Sequence, residues 1–296
     1  MTCFAPATVS NLGPGFDVLG LAVEGPGDTV TARLGPALTL VAPEGVPSDP
    51  TRNTAGIAAA EVLRRTGARG VELTLRKGMA VGTGLGSSAA SAVAAAMATN
   101  RLLGDPLSLE ELVACAIEGE ALVSGRHADN VAPCLYGGLV LVRHDLSVLR
   151  LPLPYMTVVT VTPDFELPTR MARQALPESV PLSALVRNAS DIGSLVHACH
   201  TGDVELFGRA VHDEVVAPVR AALIPGGPAA LAAAERAGAF AASVSGAGPT
   251  LFALCEGAPS ERSAAIAAAM TAIFAEAGLM ATARVCALPQ PGARLL

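Results

Sequence analysis

Alternation of apolar and polar positions over Asp28–Leu34 and Ala37–Val41 predicts two strands, and apolar runs over Thr2–Thr8 and Val18–Val23 predict two more. Between the latter pair lies Val9-Ser-Asn-Leu-Gly-Pro-Gly-Phe-Asp17, a loop dense in breakers. Thr54 to Arg65 has helical spacing and stops at Gly67, and Val71–Leu75 alternates as a strand. A glycine-rich stretch, Gly82 to Ala90, then feeds a helix that enters at Ala89 and runs to about Leu103. Leu107–Leu122 reads as a further helix, with Ser108 as N-cap and Glu111 at the capping-box position. After the strand Leu139–Val142, the prolines of Leu151-Pro-Leu-Pro154 mark a domain boundary, giving segments 1–152 and 153–296. The second segment reads as strands at Met156–Thr162, Ala239–Val244, Leu251–Cys255 and Thr282–Leu288. Its helices fall at Thr169–Leu176, Leu182–Thr201, Asp203–Leu223 with an interruption at Pro218, Pro228–Ala237 and Ser260–Ala277. That order predicts an α+β sandwich.

Composition narrows the function. At 296 residues there is room for two domains. Hydrophobic residues make up 51%, yet no run offers the roughly 18 uninterrupted apolar residues that a membrane span needs. Met1-Thr-Cys-Phe-Ala-Pro6 lacks the basic start and apolar core of a signal peptide. The expectation is a soluble, cytoplasmic protein with no membrane partner. Six cysteines, widely scattered and without metal-binding spacing, read as reduced core residues. A net charge of −6, no basic cluster and 3% aromatic residues argue against nucleic acid. Lys77 is the one lysine beside nineteen arginines, a ratio that fits GC-rich coding and by itself carries no chemistry.

The stretch Gly82-Thr-Gly-Leu-Gly-Ser-Ser-Ala-Ala90 carries more. Its glycines permit the positive φ angles of an amide nest, and Ser87 and Ser88 stand where a helix takes its caps. A helix N-terminus beside a nest is a phosphate cradle. It is not a P-loop, because no lysine follows the glycines, and it lacks the spacing and acidic partner of a dinucleotide fingerprint. Its bland alternative is a tight turn letting an alanine-rich helix pack closely on a sheet. A second dense segment, Ser124 to Gly138, places Arg126, His127, Asp129 and Asn130 within five residues. Asn11 and Asp17 of the first loop serve equally well as turn formers.

Glycine-rich loops at Pro6–Gly20, Val81–Ala90 and Ser243–Leu254, in that order, resemble the GHMP kinase superfamily of small-molecule kinases. Pro6-Ala-Thr-Val-Ser-Asn-Leu-Gly-Pro-Gly-Phe-Asp-Val-Leu-Gly20, His127-Ala-Asp-Asn-Val-Ala-Pro133 and Ala217-Pro-Val-Arg-Ala-Ala-Leu-Ile-Pro225 are similar to the homoserine kinase family within it. The resemblance spans the chain and implies an N-terminal ribosomal-protein-like α/β domain that binds ATP, followed by a ferredoxin-like α+β sandwich. It departs from the family at Met79-Ala-Val, where a proline is usual two places before the first glycine.

The resemblance also implies roles. Val81, Gly82, Thr83, Gly84, Leu85, Gly86, Ser87, Ser88 and Ala89 would hold the ATP phosphates, and Asn53 would lie towards the adenine. Ser88 and Glu120 would bind Mg²⁺, with Glu118 as the competing carboxylate. Arg173 and Arg220 would grip the carboxylate of L-homoserine, Arg170 competing with the former. Asp129 would face the ammonium, Thr169 and His127 would shape the pocket, and Asn11 and Asp17 would hold the hydroxyl near the γ-phosphate. The implied activity is ATP-dependent phosphorylation of L-homoserine in threonine biosynthesis, in a homodimer. The alternatives are a superfamily kinase for a mevalonate-like or sugar substrate, and a ligand-sensing member without turnover.

Overall fold

The computed structural model describes residues 1–296. In the first half, β1 (Thr2–Ser10) pairs antiparallel with β2 (Leu19–Leu34). The two strands expected at 18–23 and 28–34 are this one long strand, because the breakers Gly25 and Pro26 are absorbed in a register shift opposite Pro6 and Ala7. β3 (Thr39–Val41) is short and runs parallel to β4 (Val71–Arg76), which pairs with β2. Between them α1 (Thr54–Thr66) opens on an Asn53 cap and closes on Gly67 in the left-handed conformation. α2 (Ser87–Leu102) is buried on nearly every side, which alanine and serine allow and larger side chains would not. α3 (Leu109–Glu120) carries the expected capping box of Ser108 and Glu111. The short α4 (Val131–Tyr136) lies inside the segment read as a loop. β5 (Leu139–Val142) joins β2 to β6 (Val148–Leu151), a strand the alternation did not signal.

β7 (Met156–Pro163) begins a second, four-stranded sheet. There follow α5 (Thr169–Gln174), α6 (Leu182–Thr201), α7 (Val204–Ala210), α8 (Val216–Ala222) and α9 (Gly227–Arg236). Pro218 does not interrupt a helix as expected. It sits in the first turn of α8, where its missing N–H costs nothing, and the break falls at 211–215, where Asp213 caps α8 by accepting from Val216 N at 3.0 Å and Ala217 N at 2.7 Å. β8 (Ala241–Val244), β9 (Leu251–Glu256), α10 (Glu261–Glu276) and β10 (Ala281–Leu288) complete a βαββαβ unit with antiparallel order β10-β7-β9-β8, the ferredoxin-like arrangement. The chain then returns to the first sheet, where β11 (Arg294–Leu295) pairs with β1.

Buried side chains form two clusters. One lies between the first sheet and α1–α3 and continues through residues of all four strands of the second sheet to α6 and α7, and the other lies under α9 and α10. All six cysteines are unpaired and buried. Burial pushes the thiols of Cys3, Cys115 and Cys286 up to about 11 and Cys199 up to about 12, so they are inert packing groups. No single helix is long and apolar enough to cross a membrane.

Candidate active site

The three glycine loops converge on one cavity of about 470 Å³ walled by both halves of the chain, within the size range of small-molecule sites. Gly82, Gly84 and Gly86 have φ of 75°, 77° and 67°, so the nest expected of them forms. Gly86 itself takes the N-cap position of α2. Ser87 and Ser88 are therefore the first helical residues and not caps, and no side chain caps the helix. The uncapped amides at this N-terminus face an open cavity, which is where an anion is best held. Val81, Thr83, Ser87 and Ser88 line the cavity with the three glycines, whereas the side chains of Leu85 and Ala89 are turned into the core.

Asn53 also lines the cavity. Its Oδ1 accepts from Ala55 N at 2.9 Å and its Nδ2 donates to Pro47 O at 2.7 Å, so the side chain caps α1 and fixes the preceding turn.

Lys77 approaches the loop from the strand that precedes it, and the exclusion of a P-loop stands. From the end of β4 its Nζ reaches under the helix start, donating to Ser87 Oγ at 2.6 Å, Ser87 O at 2.9 Å and Ser91 Oγ at 3.0 Å, and pairing with Asp28. The fully buried Asp28 also accepts from Ser91 Oγ at 2.6 Å and Gly78 N at 3.1 Å. A cation therefore stands beside the phosphate cradle, supplied from the strand before the loop and not from the helix after it. The sequence signal was its singularity: one lysine, placed nine residues before the loop's last glycine.

Ser88 and Glu120 come together as expected, Ser88 Oγ donating to Glu120 Oε1 at 3.0 Å, with Ser124 donating to the same oxygen. Glu120 is 4% exposed and its Oε2 has no partner. Burial raises its pKa, the two serines only partly offsetting this. A buried carboxylate oxygen left open at the mouth of a phosphate cradle is the hard oxygen donor a divalent cation requires. Glu118 is elsewhere, paired with Arg126 on the surface.

At the other end of the cavity, both oxygens of Asp17 accept from the Arg173 fork at 3.0 and 3.1 Å, and His127 Nδ1 lies 3.4 Å from the same carboxylate. Burial lowers the His127 pKa. Asn11 Oδ1 accepts from Asp17 N at 3.3 Å and its Nδ2 donates to Gly246 O at 3.4 Å, so Asn11 ties the first loop to the third. Arg220 is buried, donates to Gly246 O at 2.7 Å, and has its pKa lowered by burial and then by Arg173. Asp129 is buried and its pKa is pushed up to about 7, chiefly by burial and secondly by Asp17. Thr169, the first residue of α5, and Arg170 line the same cavity, and neither forms an ion pair.

Direct bonds lock the loops. Ser245 Oγ donates to Gly84 O and Thr250 Oγ1 to Thr83 O, both at 2.6 Å. Asn130, which the sequence reading left outside the site, accepts from Thr8 Oγ1 at 2.8 Å and donates to Ser10 Oγ at 3.1 Å, bracing β1 against the start of α4.

Family models for the GHMP kinase N-terminal domain and the GHMP kinase C-terminal region match residues 53–138 and 195–276. The chain is 45% identical to a homoserine kinase of Arabidopsis thaliana over 99% of its own length and 84% of the relative's. It is 40% identical to one of Methanocella arvoryzae over 100% and 97%. The chain belongs to the homoserine kinase family. A crystal structure of homoserine kinase from Cytophaga hutchinsonii superposes with a TM-score of 0.94 at 41% identity, covering 100% of this chain and 97% of that one. A mevalonate kinase of L. major shares the fold alone, at 18% identity and a TM-score of 0.72. The two-domain GHMP kinase architecture expected from the sequence is thus the one observed. Its homoserine kinase loops are those that meet at the cavity.

Proposed function

We propose that this chain transfers the γ-phosphoryl group of ATP to the terminal hydroxyl of L-homoserine, giving O-phospho-L-homoserine and ADP, with Mg²⁺ as cofactor and threonine biosynthesis as its setting. Residues 1–152 form the ATP-binding domain and 153–296 the second domain, except that the returning tail belongs to the first sheet. The observation that carries the reading is one cavity with two chemically opposite ends. An uncapped amide nest with Lys77 and the open Glu120 oxygen lies at one end, and a carboxylate–guanidinium cluster suited to an amino-acid zwitterion lies at the other.

The nest of Gly82, Gly84 and Gly86, with the first-turn amides of α2, holds the triphosphate. Ser88 and Glu120 would hold Mg²⁺, a hydroxyl and a carboxylate being the hard oxygen donors it prefers. Bound there, the ion would supply positive charge to neutralise the transferring phosphoryl group. Arg220 and Arg173 take the substrate carboxylate, since guanidinium pairs with it in a bidentate fork. Asp129 takes the ammonium and, once ionised by that contact, offsets it. Asp17 already accepts two bonds from Arg173, which suits it to orient the hydroxyl and not to remove its proton. A loose phosphoryl-transfer transition state asks for position and charge more than for a strong base. The hydroxyl oxygen bonds to the γ-phosphorus, the bond to the β-phosphate oxygen breaks, and the hydroxyl proton leaves to solvent.

The test is coupled ADP release with MgATP against homoserine, serine, threonine and mevalonate. Turnover with homoserine well above the other three is expected. ADP release that homoserine does not stimulate would overturn the reading.

A further inference from the structure

Two guanidinium groups repel each other, and here they are brought together with few anions between them. Arg173 has Asp17, and Arg220 has only the Gly246 carbonyl as a hydrogen-bond acceptor. Each also keeps a buried Nε–H without a partner. What both share is the ring of Phe16. The Cζ of Arg173 lies 5.3 Å from its centroid and that of Arg220 5.1 Å, within the range of cation–π attraction. Phe16 and Asp17 are neighbours in the first loop, so one guanidinium is held by an aromatic face and a carboxylate from consecutive residues. Asp17 stands at φ 58°, a left-handed turn in the backbone next to Phe16.

We propose that Phe16 is the positioning residue that fixes Arg173 and Arg220 as a single carboxylate-binding pair and thereby sets the affinity for the amino-acid substrate. It rests on the assignment of homoserine as substrate made above. A ring face is suited to this because it attracts each cation without neutralising it. A second carboxylate in that place would compete with the substrate for the same N–H groups, whereas the quadrupole leaves them free. Neither Nε–H is taken by a protein acceptor.

The experiment compares wild type with Phe16→Leu, Phe16→Met and Phe16→Tyr by steady-state kinetics. Competitive inhibition by 3-aminopropanol, which is homoserine without its carboxylate, is measured alongside. Leu and Met keep apolar bulk and remove the ring face. Both are expected to raise the homoserine KM about tenfold, the size of one or two partly desolvated cation–π contacts. The ATP KM, kcat and the 3-aminopropanol Ki should stay within about twofold, and Tyr should restore the homoserine KM. Equal weakening of homoserine and 3-aminopropanol, an unchanged KM in both apolar variants, or a loss confined to kcat overturns the role of Phe16. Absence of homoserine turnover in the wild type would instead be failure of the substrate assignment, a separate result.

Discussion

Asp129 is a carboxyl group whose surroundings work against its charge. Burial raises its pKa to about 7, with Asp17 and Glu120 adding repulsion, and the hydrogen bond from Ser10 only partly offsets them. Below that pH the ligand-free protein holds a neutral acid there, which offers little to an ammonium. Homoserine kcat/KM is therefore expected to climb with pH and level off above about 7. Asp129→Asn should lose most of the activity and the limb with it. The same shift has a stability consequence. The native state binds more protons than the unfolded chain between the ordinary carboxylate value and about 7, so stability is full below that window and falls as pH rises through it. Thermal melts of ligand-free protein should drop by ~3 °C or more from pH 5 to pH 8. Homoserine at pH 8 should recover the loss, and the Asn variant should melt with a flatter pH profile. An equal slope in that variant would show that the titration belongs elsewhere.

At the scale of elements, the start of α2 depends on one glycine. Gly86 caps the helix at φ 67°, and an added Cβ would stand 2.1 Å from Thr8 Oγ1, itself held by Asn130. Gly86→Ala brings a left-handed alanine, about 1–2 kcal/mol, and a clash in the brace behind the cradle. The expected outcome is a melting midpoint lower by about 3–6 °C and an ATP KM at least about tenfold higher. Removing the obstructing hydroxyl in Gly86→Ala/Thr8→Ala should recover part of the ATP affinity; an ATP KM that Gly86→Ala leaves unchanged would remove the cradle from nucleotide binding. The same helix start shows what the sequence could and could not disclose. The Ser108–Glu111 box and the Gly67 stop depend on residues within one turn, and both were legible. Assigning Ser87 and Ser88 as caps failed because a glycine in the left-handed region can take that place without a side chain. Lys77 escaped because its partners Asp28 and Ser91 lie 49 and 14 residues away, joined only when β2, β4 and α2 pack. Phe16 and Arg220 meet across 204 positions, beyond the reach of any periodicity. The individual loops were readable as motifs, but the bonds that lock them were not.

The two halves share one apolar cluster, and two sets of hydrogen bonds flank it. On the cavity side, Ser245, Thr250 and Gly246 of the second half bond to Gly84, Thr83 and Ser10 of the first. Away from it, the chain after β10 crosses back: Gln290 O accepts from Gly138 N at 2.8 Å, Ala293 N donates to Cys134 O at 2.8 Å, and Leu296 N donates to Thr2 O at 3.0 Å. Arg294 also lies 4.5 Å from the centroid of the Phe4 ring. Two-residue β11 has no signal of its own, since its partner strand is at the opposite end of the chain. Its importance is mechanical, because it closes a sheet edge and braces α4, the helix that directly follows Asp129 and Asn130. Deleting residues 289–296 removes these bonds while leaving every cavity-lining residue in place. The truncated protein should melt at least ~5 °C lower, as the first sheet loses its edge strand and α4 its brace. Saturating homoserine, whose proposed partners Asp129 and Arg220 come from the two halves, should recover part of the lost midpoint. An unchanged midpoint would mean that the returning tail is ornamental to the fold.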